Sequence, residues 1–339
     1  MTRLFVAATL IVALAGFTPP VHARSNDLRI YFIDVEGGQS TLLITPSGKS
    51  VLIDTGWPGA RDADRIAGAA KSAGLKQIDY VVITHFHEDH VGGVADLVNR
   101  LKIATFVDHG PDTEDSDQAR GLYAAYQKAT KSAARVVVKP GEGLPLTNIK
   151  LEFLTAAGES ITSPLPGAGE ANPYCYSEAP PPADTSENSQ SIGMLITYGK
   201  FKFLDLGDLT KIKELGLVCP NNLLGTVSLY LATHHGGYPD NPKALVWALH
   251  PLVAISNNGA RKGGNPDSWQ IVHDSPGLAD FWQLHYASGS DAKHNVAETF
   301  IANLDEKSDG HSIEVKARAD GRFTVTNTRN GYSKKYGGM

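Results

Sequence analysis

A short apolar run, Tyr80-Val-Val-Ile83, leads directly into Thr84-His-Phe-His-Glu-Asp-His90 and then Val91-Gly-Gly93. This junction constrains the fold more than any other stretch of the chain. The apolar run is rich in β-branched residues and reads as a strand buried on both faces, which requires covering layers on either side. Alternate side chains of an extended chain share a face, so His85 and His87 point the same way at the strand end. Asp89 and His90 follow on a tight loop that opens the next helix, and Gly92-Gly93 lets that helix start close by. Imidazole nitrogens and carboxylate oxygens converging from one loop suit Zn²⁺, with Mn²⁺ or Fe also compatible.

The surrounding pattern alternates strands with helices. Residues 28–34, 40–45, 50–54 and 80–84 read as strands, and 61–73 and 91–101 as helices. Farther on, 192–198 and 201–206 flank Gly199-Lys200 as a hairpin, and 312–319 and 322–327 flank Asp320-Gly321 as another. Residues 227–233 and 252–256 read as strands around a helix at 242–249. The class is therefore α/β or a layered α+β, expected to form one domain over residues 24–339. Residues 163–191 break the pattern with five prolines between Pro164 and Pro181, followed by Pro182. So long a stretch without regular structure is either a functional loop or an insertion without a role. Trp269 and Trp282 are expected in the core.

The first residues carry their own signal. Arg3 precedes the apolar run Leu4–Gly16, Pro19-Pro20 interrupts it, and Val21-His-Ala23 fits a small-x-small cleavage site. This predicts a signal peptide over residues 1–23, a periplasmic or secreted protein, and no membrane span after cleavage. In an oxidising compartment Cys175 and Cys219 can form a disulfide or remain two thiols; spacing alone leaves both open. The net charge of −5 disfavours a broad nucleic-acid surface, so a long nucleic acid is a less suitable partner than a small or cell-envelope anionic substrate. The sequence does not fix an oligomeric state.

His-x-His-x-Asp-His followed by Gly-Gly resembles the metallo-β-lactamase superfamily. Phe32-Ile-Asp-Val-Glu-Gly-Gly-Gln-Ser40, Leu52-Ile-Asp-Thr-Gly56, Phe203-Leu-Asp-Leu-Gly-Asp-Leu209 and Ala232-Thr-His-His-Gly-Gly237 fall in the order seen in the metallo-hydrolase domain of the competence protein ComEC and its relatives. The resemblance implies an αββα sandwich with metals at one edge, between the sheets. It implies that His85 and His87 bind a first metal, Asp89 and His90 a second, and that Asp208 bridges them. Asp54 is implied to orient a histidine. One of His234 and His235 is implied to join the second metal, since neighbours on a strand face opposite ways. His109 is either the further first-metal histidine or a polar loop residue. Where relatives often carry Gly-His-Pro, this chain has Gly264-Asn265-Pro266.

The implied activity is hydrolysis by a metal-bound hydroxide, because a bound ion lowers the pKa of its water toward ~7. Asp89 would also accept the water's proton. Phosphodiesters are the expected substrates. A lactone, lactam or carboxylic ester is the alternative, as is a non-catalytic protein with a degenerate site. Asn258, Arg261 and Lys262, in a glycine-rich turn after a strand, and Tyr238 are the expected substrate contacts. No Gly-x-Ser-x-Gly elbow, P-loop or dinucleotide fingerprint occurs.

Overall fold

The computed structural model describes residues 26–175 and 182–337. The expected signal peptide, residues 1–23, lies outside the described residues. Two β-sheets pack face to face with helices on both outer faces, the αββα sandwich that the motif order implies. The first sheet runs Ser333–Tyr336, Phe323–Asn327, Ile313–Ala317, Leu28–Phe32, Thr41–Ile44, Ser50–Ile53, Gln77–Val82, Lys102–Asp108 and Ala134–Val137. The second runs Ile301–Asn303, Asp280–His285, Val253–Ser256, Leu229–Leu231, Phe201–Asp205, Gly193–Tyr198, Lys150–Ala156 and Gly143–Leu144, with Glu159–Ser160 paired beside Lys150–Ala156.

The central core lies between the sheets. Phe32 of the first sheet meets Phe203 of the second edge-to-face, with ring centroids 5.6 Å apart. Both are fully buried, and truncating either to alanine is expected to cost about 3–5 kcal/mol. Trp282 is completely buried and Trp269 nearly so, in keeping with packing roles. The helix Ala60–Ser72 turns Ala63, Ile66 and Ala70 inward, at the i, i+3, i+7 spacing of an apolar stripe.

Each sheet has a parallel half. Ser50–Ile53, Gln77–Val82, Lys102–Asp108 and Ala134–Val137 run parallel, as do the five strands from Phe201–Asp205 to Ile301–Asn303. Parallel neighbours need crossover connections, so their carboxyl ends share one edge. Open α/β sheets bind ligands at that edge. The loops after Ile53, Val82, Asp108, Asp205, Leu231 and Ser256 carry Asp54, His85 to His90, His109, Asp208, His234-His235 and Lys262 respectively.

One expected helix differs. Residues 91–101 form no single helix but two short turns, Glu88–Val91 and Val94–Leu97, divided at Gly92-Gly93. The cause is a close backbone approach. Thr55 N donates to His90 O at 2.7 Å and Gly93 N to Gly56 O at 3.1 Å. A Cβ on Gly93 would lie 2.1 Å from Thr55 O, and one on Gly92 would lie 2.2 Å from Glu88 O. Packing against the 54–56 loop, rather than helix propensity, sets this segment.

The proline-rich stretch is tied down where it is described. Cys175 and Cys219 form a disulfide across a separation of 44 residues. Asn172 Nδ2 donates to Val218 O at 3.0 Å and to Ala244 O at 2.9 Å. Leu165 is buried.

Candidate metal centre

The strand Gln77–Val82 delivers its last residues into the shared edge, where Thr84 fixes the turn. Thr84 N donates to Asp54 Oδ1 at 2.7 Å and its hydroxyl to Asp54 Oδ2 at 2.6 Å. Asp54 Oδ2 also takes His90 Nδ1 at 2.7 Å, which leaves His90 Nε2 directed inward. There it lies 3.2 Å from both Asp89 Oδ2 and Asp208 Oδ2. His235 Nε2 lies 3.1 Å from Asp89 Oδ2 and 3.4 Å from Asp208 Oδ2. Asp89, His90, Asp208 and His235 each offer one ligand atom, all within 4.8 Å of one another, and all four residues are buried.

The adjacent histidines do not behave as strand neighbours. His234 and His235 have φ of 53° and 57°, in the left-handed region, within a turn that follows Leu229–Leu231. Both rings therefore reach Asp208, with His234 Nε2 at 3.5 Å from Oδ2. The expectation that they face opposite ways is corrected: the alternation holds only for extended chain. Left-handed conformations cost β-carbon residues of order 1–2 kcal/mol each and cluster at functional sites. Asp240 Oδ2 holds His234 Nδ1 at 2.6 Å, so His234 stands at the mouth while His235 is enclosed.

The remaining expected ligands are less convergent. His85 is fully buried with Nε2 3.9 Å from Asp208 Oδ2 and without a hydrogen-bond partner. His87 turns outward to Glu114, at 3.2 Å. His109 lies near Phe86 and its Nε2 binds Glu187 Oε1 at 2.7 Å. Glu187 also accepts from Phe86 N at 3.0 Å and from the Thr113 hydroxyl at 2.7 Å. The structure thus spends His109 Nε2 on a buried clamp and does not bring it into the four-residue cluster. Asn265 caps the helix Pro266–His273 by accepting from Asp267 N.

Among the expected substrate contacts, Lys262 alone reaches the cluster, with its ammonium against Asp89 Oδ2. Asn258 is buried and donates to His285 O at 2.8 Å, so it braces the turn. Arg261 forms a two-pronged pair with Glu306 at 2.9 and 3.0 Å on the surface. Tyr238 is exposed.

The electrostatics favour a cation. Burial would raise the pKa of Asp89 and Asp208, yet the neighbouring histidines hold both well below the ordinary carboxylate range. Burial would lower His90, yet the Asp208, Asp89 and Asp54 carboxylates push it well above its ordinary value. His85 is pushed well below its ordinary value by burial and then by His90, leaving a neutral imidazole. Asp208 Oδ1 and His85 Nε2 are buried polar atoms without protein partners. Such atoms call for a further partner, and two imidazole nitrogens with two carboxylate oxygens fit a divalent metal.

Sequence reading missed the supporting groups. Gln39 N donates to Asp89 O at 3.1 Å, and its amide donates to both oxygens of Asp205, at 3.0 and 3.1 Å. Burial, then the Asp54 charge, pushes the Asp205 carboxyl up to about 7. Gln39 and Asp205 both lie inside quoted motifs, a signal that could have found them. Asp240 follows the paired histidines closely. Nothing in the proline-rich stretch marked Glu187.

The metallo-beta-lactamase superfamily model matches residues 34–171. ComE operon protein 3 of Bacillus subtilis is 25% identical over 252 residues, covering 69% of this chain and 29% of that protein. Thioesterase pkgB of Emericella nidulans is 32% identical over 107 residues, covering 32% of this chain and 30% of that protein. The chain thus matches less than a third of the length of either relative. The metallo-beta-lactamase fold protein YhfI from Bacillus subtilis aligns over 85% of this chain and 99% of its own, at 12% identity and a TM-score of 0.46. The His-x-His-x-Asp-His loop, the two-sheet sandwich and the ligand cluster at their shared edge agree with the match of residues 34–171 to the metallo-beta-lactamase superfamily.

Proposed function

We propose that this chain is an exported metal-dependent hydrolase acting on phosphodiester bonds. The observation that carries the reading is the buried convergence of Asp89, His90, Asp208 and His235 at the carboxyl edge of two sheets, with Lys262 beside it. What a divalent ion, zinc foremost, supplies when bound there is Lewis acidity and a water of lowered pKa. Asp208 is assigned as the shared ligand because His85, His90, His234 and His235 all face its Oδ2. Asp89 is the ligand assigned to accept the nucleophile's proton. His234, held through Nδ1 by Asp240, presents Nε2 at the mouth, where it can hold a proton for the leaving oxygen.

Lys262 favours an anionic substrate, since a flexible ammonium binds phosphate as a point charge. The similarity to a thioesterase keeps carboxylic and thioesters as the second reading. The Cys175–Cys219 disulfide supports an oxidising compartment, periplasmic or extracellular. Among the described residues no helix is long and apolar enough to cross a membrane.

The test is hydrolysis of bis-p-nitrophenyl phosphate by protein loaded with zinc or manganese, beside Asp208→Ala. Turnover that disappears in the variant is expected. A fully metallated protein inert toward this diester but active on thioesters would overturn the phosphodiester assignment.

A further inference from the structure

We propose that Trp57 and Lys262 form a subsite beside the metal cluster that selects a phosphate carrying a planar base, as in a nucleotide, over a simple alkyl phosphate. The phosphate half of this inference rests on the hydrolase reading above. Trp57 follows the strand Ser50–Ile53, and its backbone N donates to Asp62 Oδ2 at 2.8 Å. It is separated from Asp89 by a glycine. A Cβ on Gly38 would lie 3.2 Å from Trp57 Nε1, 2.5 Å from Asp89 O and 3.3 Å from Asp89 Cβ. Lys262 Nζ stands 5.0 Å from the Trp57 ring centroid and also contacts Asp89 Oδ2. The indole and the ammonium therefore border the same ligand.

Asp89 Oδ2 is shared by three groups: His90 Nε2, His235 Nε2 and Lys262 Nζ. A cation bound to this oxygen repels the ammonium at short range. Lys262 then needs another anion, and its backbone is not free to withdraw. Gly259 N donates to Lys262 O at 2.9 Å, and a Cβ on Gly37 would lie 2.9 Å from Lys262 Cβ. The side chain can swing only at its far end, past the Trp57 ring. A substrate phosphate oxygen supplies the missing partner.

Trp57 is only partly buried, unlike Trp282 in the core. It lines an open hollow of about 320 Å³ with Glu36, Pro58, Ala60 and Arg61. A planar base fits an indole wall because every base has a π face, and stacking tolerates any base identity. The cation next to the same ring adds the phosphate contact. An alkyl phosphate uses the ammonium alone and leaves the indole in water.

The test is isothermal titration calorimetry of zinc-loaded protein with thymidine 5′-monophosphate and with methyl phosphate. Wild type is expected to bind the nucleotide about tenfold or more tightly than methyl phosphate, the scale of one base stacked on an aromatic ring. Trp57→Ala should bring the two ligands to within about twofold, Trp57→Phe should keep the preference, and Lys262→Met should weaken both by similar factors. Zinc content and circular dichroism establish that each variant is folded and loaded. Equal affinities in wild type, no binding of either ligand, or an undiminished preference in Trp57→Ala would overturn the subsite. Nucleotide preference without hydrolysis of bis-p-nitrophenyl phosphate would instead sink the phosphodiester assignment and leave the subsite standing.

Discussion

Asp54 Oδ2 stands 2.7 Å from His90 Nδ1, and neither residue has any exposed side chain. The bond fixes which ring nitrogen of His90 is free for the cluster. It also ties the loop after one parallel strand to the loop after its neighbour. The function of the edge thus depends on a carboxylate that lies outside the four-residue cluster.

Asp54→Ala should therefore reduce metal affinity without removing a ligand. Groups that orient metal-binding histidines are worth roughly 10- to 100-fold in affinity. The variant also strands the Thr84 N–H and hydroxyl in the interior, at a cost of about 2–4 kcal/mol. Asp54 has φ of 61°, which asparagine tolerates better than alanine, so Asp54→Asn should be the milder change. Zinc titration and denaturant unfolding of both variants measure the two effects separately.

Asp208→Ala should lower metal stoichiometry and abolish hydrolysis with the fold retained. Its Oδ2 lies within 3.5 Å of three histidines, His90, His234 and His235. Removing it should also relieve the pull on His90. Elemental analysis after dialysis against buffered zinc provides the check, and unchanged stoichiometry would remove Asp208 from the ligand set.

His109→Ala should leave metal content unchanged and destabilise the protein by about 3–5 kcal/mol, the cost of stranding a buried charge. The stranded group is Glu187, fully buried and bonded to His109 at 2.7 Å. Loss of metal without loss of stability would return His109 to the role of ligand.

Glu187 also predicts an acid limb. Burial alone would raise its pKa, but the bond to His109 and those to Thr113 depress it from 4.5 to about 2. A depressed carboxylate contributes stability that is fully present above about 4.5 and is lost as pH falls toward about 2. The shift corresponds to about 3 kcal/mol. Glu187→Gln should flatten the stability profile across that window, as read by urea unfolding at each pH. An unaltered slope would show that other carboxylates set the acid limb.

Cys175→Ser with Cys219→Ser should cost about 2–4 kcal/mol, the usual worth of a bridge closing a loop of this size. Proteolysis within residues 163–191 should accelerate in the same variant. Thermal unfolding with and without reductant reads the effect on the parent protein.

Much of this molecule is local and therefore legible in the sequence. The β-branched run before Thr84, the hairpins at Gly199-Lys200 and Asp320-Gly321, and the apolar stripe of residues 60–72 follow from periodicity and turn chemistry. The His-x-His-x-Asp-His spacing identified the metal edge, since consecutive residues at a strand end cannot scatter far. What the sequence left open concerned contacts between distant segments. Which histidine Asp54 orients depends on parallel strands placing their carboxyl ends together. Splitting of the 91–101 segment depends on the loop after Ile53, where Thr55 presses against Gly93 and Pro58 against Gly92. The shared orientation of His234 and His235 comes from left-handed backbone that no side-chain pattern announces. Whether His109 faced a metal or a carboxylate was decided by Glu187, which is 78 residues away in the chain and reaches it only when the two sheets close.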